Sequence, residues 1–222
     1  MNSPGENRAL LNLMTWLSPA FPTGAFAYSH GIEWAVEDGS ITDGATLLAW
    51  LEDIFRHGAG RMDAIFLRYA HRAAADHAAL LSLAEQALAT APARERQQET
   101  AAQGAAFILA AAPWLPPALR ELTDLPYPVA VGALTGAHAI AEDSATLALL
   151  QAFAGNLISA AVRLVPLGQN AGLAVLAALE PTLLAVAAET RAATLQDIGG
   201  AAFRADIAAM RHETQYTRLF RS

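Results

Sequence analysis

The stretch ITDGATLLAWLEDIFRHGAG, residues 41–60, constrains the fold of this chain more than any other. Leu47, Trp50, Leu51, Ile54 and Phe55 recur at steps of three and four, so on a helix of 3.6 residues per turn they line one stripe. Thr42 and Asp43 stand just ahead of it as cap-type residues whose side chains can accept from the free first-turn amides. A stripe of this kind needs a second apolar surface to cover it, and the rest of the chain repeats the pattern. Hydrophobic residues make up 54% of the sequence against 16% charged, with few β-branched runs to favour strands. The spacing predicts an all-α fold, a single-domain bundle of roughly ten helices.

Residues 1–7 read as a loose arm. Leu10, Leu13, Met14 and Leu17 then give a first short helix, which SPAFPTG stops with two prolines and a glycine. A helical pattern over Ala25–Val36 is interrupted by Gly31. Arg61–Ala74 turns Ile65, Phe66 and Tyr69 inward, Asp76 caps a stretch running to Ala91, and an Arg/Glu/Gln-rich helix after Pro92 becomes apolar at Phe107. Its charged half reads as a solvated face with local pairs such as Glu99 with Arg96. Pro113, Pro116, Pro117, Pro126 and Pro128 break the chain in the middle. Trp114, Leu115, Leu119, Leu122 and Tyr127 make that region too apolar for a tether, so it reads as an ordered crossover. Beyond it, Gly132 and Gly136 share one face of a helix that admits a close neighbour. Ala145–Val165 is long and apolar enough to span a bilayer, but Gln151, Asn156, Ser159 and Arg163 recur through it, which favours a helix buried in protein. The following helix carries Glu180 and Pro181 in its middle and reads as a kinked core helix.

Several chemistries are excluded. There is no cysteine, and all 14 basic residues are Arg, so thiol catalysis, cysteine metal sites, the phosphate-loop lysine and Schiff-base chemistry are absent. A net charge of −7 disfavours nucleic acid and anionic membrane as partners. No G-x-S-x-G elbow or G-x-G-x-x-G turn occurs. Among the six histidines none pairs with another at helical ligand spacing. His30 with Glu33 is the best-placed pair within one turn, and a structural role outweighs a ligand role there. His212 reads as a surface or interface residue. No catalytic, metal or cofactor site is predicted.

Three stretches do not fit the reading of plain core helices. SPAFPTGAFAYSHGIEW crowds Pro22, Tyr28, His30, Glu33 and Trp34 into a loop-to-helix junction. NLISAAVRLVPLGQ holds Arg163 in an apolar helix before a sharp exit toward Gln169, and that arginine must find an acceptor or reach solvent. MRHETQYTRLFRS places Tyr216, Leu219 and Phe220 among Arg211, Arg218 and Arg221, in a stretch where chains commonly fray.

In this order the three stretches resemble the UreF family of urease accessory proteins, the last being the most specific. Thr23 and Ala27 depart from the family's usual residues in the first. The resemblance implies an all-helical, non-catalytic, homodimeric protein without a cofactor, and the opening MNSPGENRALLNL, with no basic end ahead of an apolar run, leads one to expect the cytoplasm. Such proteins bridge UreD, also named UreH, to the GTPase UreG, and the assembly delivers nickel to apo-urease as GTP is hydrolysed. It further implies that residues 213–222 are a partner-binding tail. Tyr216, Leu219 and Phe220 would insert into apolar pockets of UreD, with Arg218, Arg221 and Arg211 around them. Pro22, Tyr28, His30 and Glu33 would form a second contact surface or its scaffold, and Arg163 with Gln169 a dimer or GTPase-facing surface. Alternatives are a nickel site from His30, Glu33 and His212, a membrane-associated helical protein, and an arginine supplied in trans to GTP hydrolysis.

Overall fold

The computed structural model describes residues 3–222, and among these the regular structure is helical, with no strand. Helix α1 (Pro4–Trp16) begins earlier than the sequence suggests. Ser3 caps it by accepting from the Glu6 amide at 3.2 Å, while the Glu6 carboxylate takes the Ser3 amide at 2.6 Å. This reciprocal box turns most of the expected arm into a helix. Met1 and Asn2 lie outside the described residues. The helical pattern over Ala25–Val36 is interrupted at Gly31 as expected, leaving a 3₁₀ turn (Ala25–Ala27) and α2 (Ile32–Glu37), because His30 and Gly31 both adopt left-handed backbone, φ 59° and 77°.

Helices α3 (Gly44–His57), α4 (Ala59–Arg72), α5 (His77–Ala89) and α6 (Arg94–Ala110) follow, with Asp43 and Asp76 capping α3 and α5 as the sequence leads one to expect. The proline-rich crossover buries Leu115, Leu119, Leu122 and Leu125 and is part of the core. Then come α7 (Tyr127–Ala137), α8 (Glu142–Leu164), α9 (Gly168–Glu189) and α10 (Phe203–His212). Pro181 lies inside an unbroken α9, on its exposed side.

Helix α4 is the central post, packed against α3, α5, α7, α8 and α9. On one side Phe66, Leu67 and Ala70 join Phe107, Val131, Leu134 and the crossover leucines; on the other Ala64 joins Leu51, Phe55, Leu150 and Leu179. The α4–α7 contact is the close one that the glycine pair announces. A Cβ on Gly132 or Gly136 would land on the carbonyl oxygens of Leu67 and His71, so only glycine lets the two backbones meet there.

Arg68, 1% exposed, ties the post to two helix ends. Its guanidinium donates to Glu142 at 2.5 Å and Asp143 at 2.8 Å in the first turn of α8, and to the Ala187 carbonyl at 2.6 Å near the end of α9. Helices α8 and α9 are both long and apolar enough to cross a membrane by length and composition. Buried residues of α8 pack against α9 and α4, as expected of a helix held in protein, whereas α9 leaves Leu173 and Leu184 exposed.

Candidate functional site

The three unusual stretches meet at one place, the seat of the C-terminal segment. Residues 218–222 bend at Leu219 and Phe220 and divide their side chains: Arg218, Phe220 and Ser222 reach partners on the protein, while Leu219 and Arg221 are exposed. Phe220 is 5% exposed, whereas Tyr216 is fully exposed and Leu219 is 70% exposed.

The seat is polar at its base. Glu33, in the first turn of α2, accepts the amides of Leu219 at 2.7 Å and Phe220 at 2.9 Å. Glu95, in the first turn of α6, accepts from Arg218 at 2.6 Å. Between these carboxylates sits His212, 0% exposed, with Nδ1 2.6 Å from Glu95 and Nε2 3.1 Å from Glu33. Glu99 receives the Ser222 hydroxyl at 2.6 Å and Gln103 at 3.1 Å, and pairs with Arg96.

The loop after the first proline pair supplies the other wall. The Ser29 amide donates to the Ser222 carbonyl at 2.7 Å and its hydroxyl to the same oxygen, while the Arg221 amide reaches the Ala27 carbonyl at 2.8 Å. That loop can turn here because His30, a residue type tolerated in left-handed backbone, is followed by glycine. Gly31 is also where α2 meets α10, since a Cβ on it would lie 2.7 Å from the Ala209 amide nitrogen. Burial pushes the His30 imidazole well below its ordinary pKa, and Arg96 pushes it further. It packs on Phe153 at 5.1 Å between ring centroids.

Arg163 closes the arrangement from α8. Its guanidinium lies 4.5 Å above the Phe220 ring and donates to the Phe26 carbonyl at 2.9 Å and the Ser159 carbonyl at 3.2 Å. One side chain thus touches all three stretches.

These positions revise several expectations. Phe220 and Arg218, expected to engage UreD, are engaged by the chain's own Arg163 and Glu95, because the acidic seat complements the basic tail. Tyr28, His30 and Glu33 are buried and act as scaffold, leaving Pro22 exposed beside them. His212 is interior, because two carboxylates compensate its burial. Both its nitrogens face carboxylates, and His30 is not among its partners. Among the described residues no group of three or more His, Asp or Glu is arranged to hold a metal. Arg211, Arg221 and Gln169 are exposed, and Gln169 stands on the first turn of α9, away from the bonds that seat the tail.

Glu95, Arg96, Glu99 and Gln103 were missed as a buried set. The signal was present: stepping back by fours from buried Phe107 gives Gln103, Glu99 and Glu95, so the inward stripe of α6 continues with polar residues.

Comparison with known proteins agrees with the resemblance. The UreF family profile matches residues 41–180. The urease accessory protein UreF of Bradyrhizobium sp. (strain BTAi1 / ATCC BAA-1182) is 52% identical over 98% of this chain and 93% of its own length. The UreF of Rhodopseudomonas palustris (strain BisA53) is 52% identical over 96% and 93%, and that of Methylorubrum populi (strain ATCC BAA-705 / NCIMB 13946 / BJ001) 50% over 96% and 98%. With relatives matching at half identity along almost the whole chain, and the profile covering its central helices, this chain belongs to the UreF family of urease accessory proteins.

Proposed function

We propose that this chain serves urease maturation as a non-catalytic scaffold, bridging UreD (UreH) to the GTPase UreG in the assembly that delivers nickel to apo-urease as GTP is hydrolysed. It would act in the cytoplasm as a homodimer, without a cofactor of its own. The observation that carries this reading is the division of the tail between bonded and exposed side chains. Inward side chains fix its path, and the outward Tyr216 and Leu219, with Arg221, remain as an apolar and cationic surface with nothing over it. Large exposed apolar side chains next to a seated segment are what a protein partner uses as anchors. The tail is thus divided between residues that seat it and residues that meet UreD.

Two variants separate the roles. Tyr216→Ala with Leu219→Ala removes only outward groups, at about 2 kcal/mol per anchor, enough to abolish a micromolar complex. The folded chain and its seated tail should be unchanged while UreD no longer co-purifies and urease is not activated. Unaltered UreD binding and urease activation by that variant would end the proposal.

A further inference from the structure

We propose that the pocket between α2, α3 and α10 is a binding site for a carboxylate carried on a short apolar stem, received by the Arg204 guanidinium and the Trp50 indole N–H.

Three observations lead there. First, the pocket has a volume of about 160 Å³ and is walled by Trp34, Trp50 and Ile207, with Arg204, Ser40 and Asp38 as its polar groups. That is smaller than a cofactor site and suits a ligand the size of one amino-acid side chain. Second, Arg204 lies with its guanidinium 5.0 Å from the centre of the Trp50 ring and forms no ion pair among the described residues. The stacking holds the planar group in place and leaves the N–H donors along its edge free to bond. Third, Trp50 is 5% exposed, and its Nε1 has no acceptor among the described residues. A buried N–H is ordinarily bonded, so an oxygen seated beside Arg204 would complete it.

The lining decides the sign and size of the ligand. A cation seeking an aromatic face would meet the guanidinium already laid on Trp50, so the two indoles do not form a cation cage. Asp38, the carboxylate at the pocket, is exposed and engaged in its own loop, its Oδ1 accepting the Ser40 amide at 2.9 Å. A doubly charged phosphate group would find a single guanidinium here, on a chain of net charge −7 without lysine. One carboxylate matches one guanidinium edge, oxygen for N–H. The apolar faces of Trp34 and Ile207 beside it then favour a stem of a few carbons over a bare anion. That wall continues outside the pocket, since Ile207 is 55% exposed and Phe203, one turn earlier on α10, is 67% exposed. An acidic side chain of a partner protein and a free carboxylic acid share this chemistry.

The test follows the Trp50 indole N–H resonance of the isotopically labelled, intact chain as butyrate is added, a carboxylate on the stem length of a glutamate, with butyramide as the uncharged control. Butyrate should move that resonance to saturation with millimolar affinity, and butyramide should bind about tenfold more weakly or worse. Arg204→Gln, at an exposed position where circular dichroism should stay that of the wild type, should weaken butyrate by about tenfold or more. Trp50→Phe keeps a ring and loses the N–H, so butyrate, now followed at the Trp34 indole, should bind severalfold more weakly. A second arm identifies the source of the carboxylate. Binding of UreD or UreG weakened about tenfold by Arg204→Gln assigns it to an acidic side chain of that partner, and unaltered binding of both assigns it to a free carboxylic acid. A response to butyrate that does not saturate below about 0.1 M, that persists in Arg204→Gln, or that butyramide reproduces would overturn the site, whatever the tail variants show of UreD.

Discussion

The contact between Arg163 and Phe220 can be weighed in a double-mutant cycle. Arg163→Ala removes a cation stacked 4.5 Å from the ring and a charge-assisted bond of 2.9 Å to the Phe26 carbonyl. The stacking is worth about 1 kcal/mol at a partly exposed site, and the bond about 1.5 kcal/mol. Phe220→Leu keeps an apolar side chain in the seat but removes the aromatic face, at about 1 kcal/mol. Only the stacking is shared by the two changes, so the double variant should fall short of additivity by about 1 kcal/mol, or about fivefold in the seating equilibrium. Exchange at the Leu219 amide reads this directly, because its acceptor is Glu33 and neither substitution touches that bond. Arg163→Lys should fall between wild type and Ala, since an ammonium keeps a cation–π attraction and a donor but lacks the planar face. Additivity within about 0.3 kcal/mol would mean that Arg163 steadies the loop at Phe26 without acting on the tail, and would refute the view that one side chain joins the three stretches.

Arg68→Ala should cost about 3 kcal/mol, lowering the midpoint of thermal unfolding by about 6 °C for a chain of this size. The loss is not larger because Glu142 keeps Arg72 at 2.8 Å and Asp143 keeps Arg191 at 2.9 Å. Both carboxyls are held below their usual range. At Glu142 burial raises the value and bonds from Arg72 and Arg68 outweigh it; at Asp143 bonds from Arg191 and then Arg68 lower it. The stability they contribute is therefore present above the unfolded carboxylate range and is lost as pH falls through the folded values, so denaturant titrations below about pH 5 should show a shallower acid loss in Arg68→Ala. Asp63 has the opposite sign. With its carboxyl raised to about 7 in the fold, the native state binds the extra proton, and stability declines as pH rises from about 4 to about 7. Asp63→Asn should then stabilise the chain by about 1–2 kcal/mol at pH 8, a value discounted for partial exposure, and do nothing at pH 4; equal effects at both would refute it.

The fold was legible where burial is apolar and local. The stripe of α3, the caps at Asp43 and Asp76, the glycine pair of α7 and the leucines of the crossover each state their own environment in residues close along the chain. Boundaries failed where a local bond or backbone angle decided the outcome. The Ser3–Glu6 box starts α1 before any apolar residue, and left-handed backbone at His30 as well as at the expected break, Gly31, shortens the segment ahead of α2 to a 3₁₀ turn. Apolar periodicity reports neither.

The site was half legible, for a different physical reason. Tyr216, Phe220, Arg163, Tyr28 and Glu33 stood out one by one, because each is costly to leave where its own stretch puts it. What they do depends on complementarity across gaps of more than a hundred residues: Arg218 with Glu95, His212 with Glu33, Ser222 with Glu99. A charged side chain on a helix reads as solvated by default, and α6 shows why that default fails here. Its polar residues occupy the inward stripe that Phe107 defines, and they are tolerated inside because the tail brings them an arginine, a hydroxyl and the imidazole at its root. The polar face of α6 and the arginines of the tail are therefore one feature seen from two ends. Neither half is intelligible alone, since without the tail Glu95 would lose the Arg218 guanidinium and Glu99 the Ser222 hydroxyl, and without them the tail would lose the bonds that seat it.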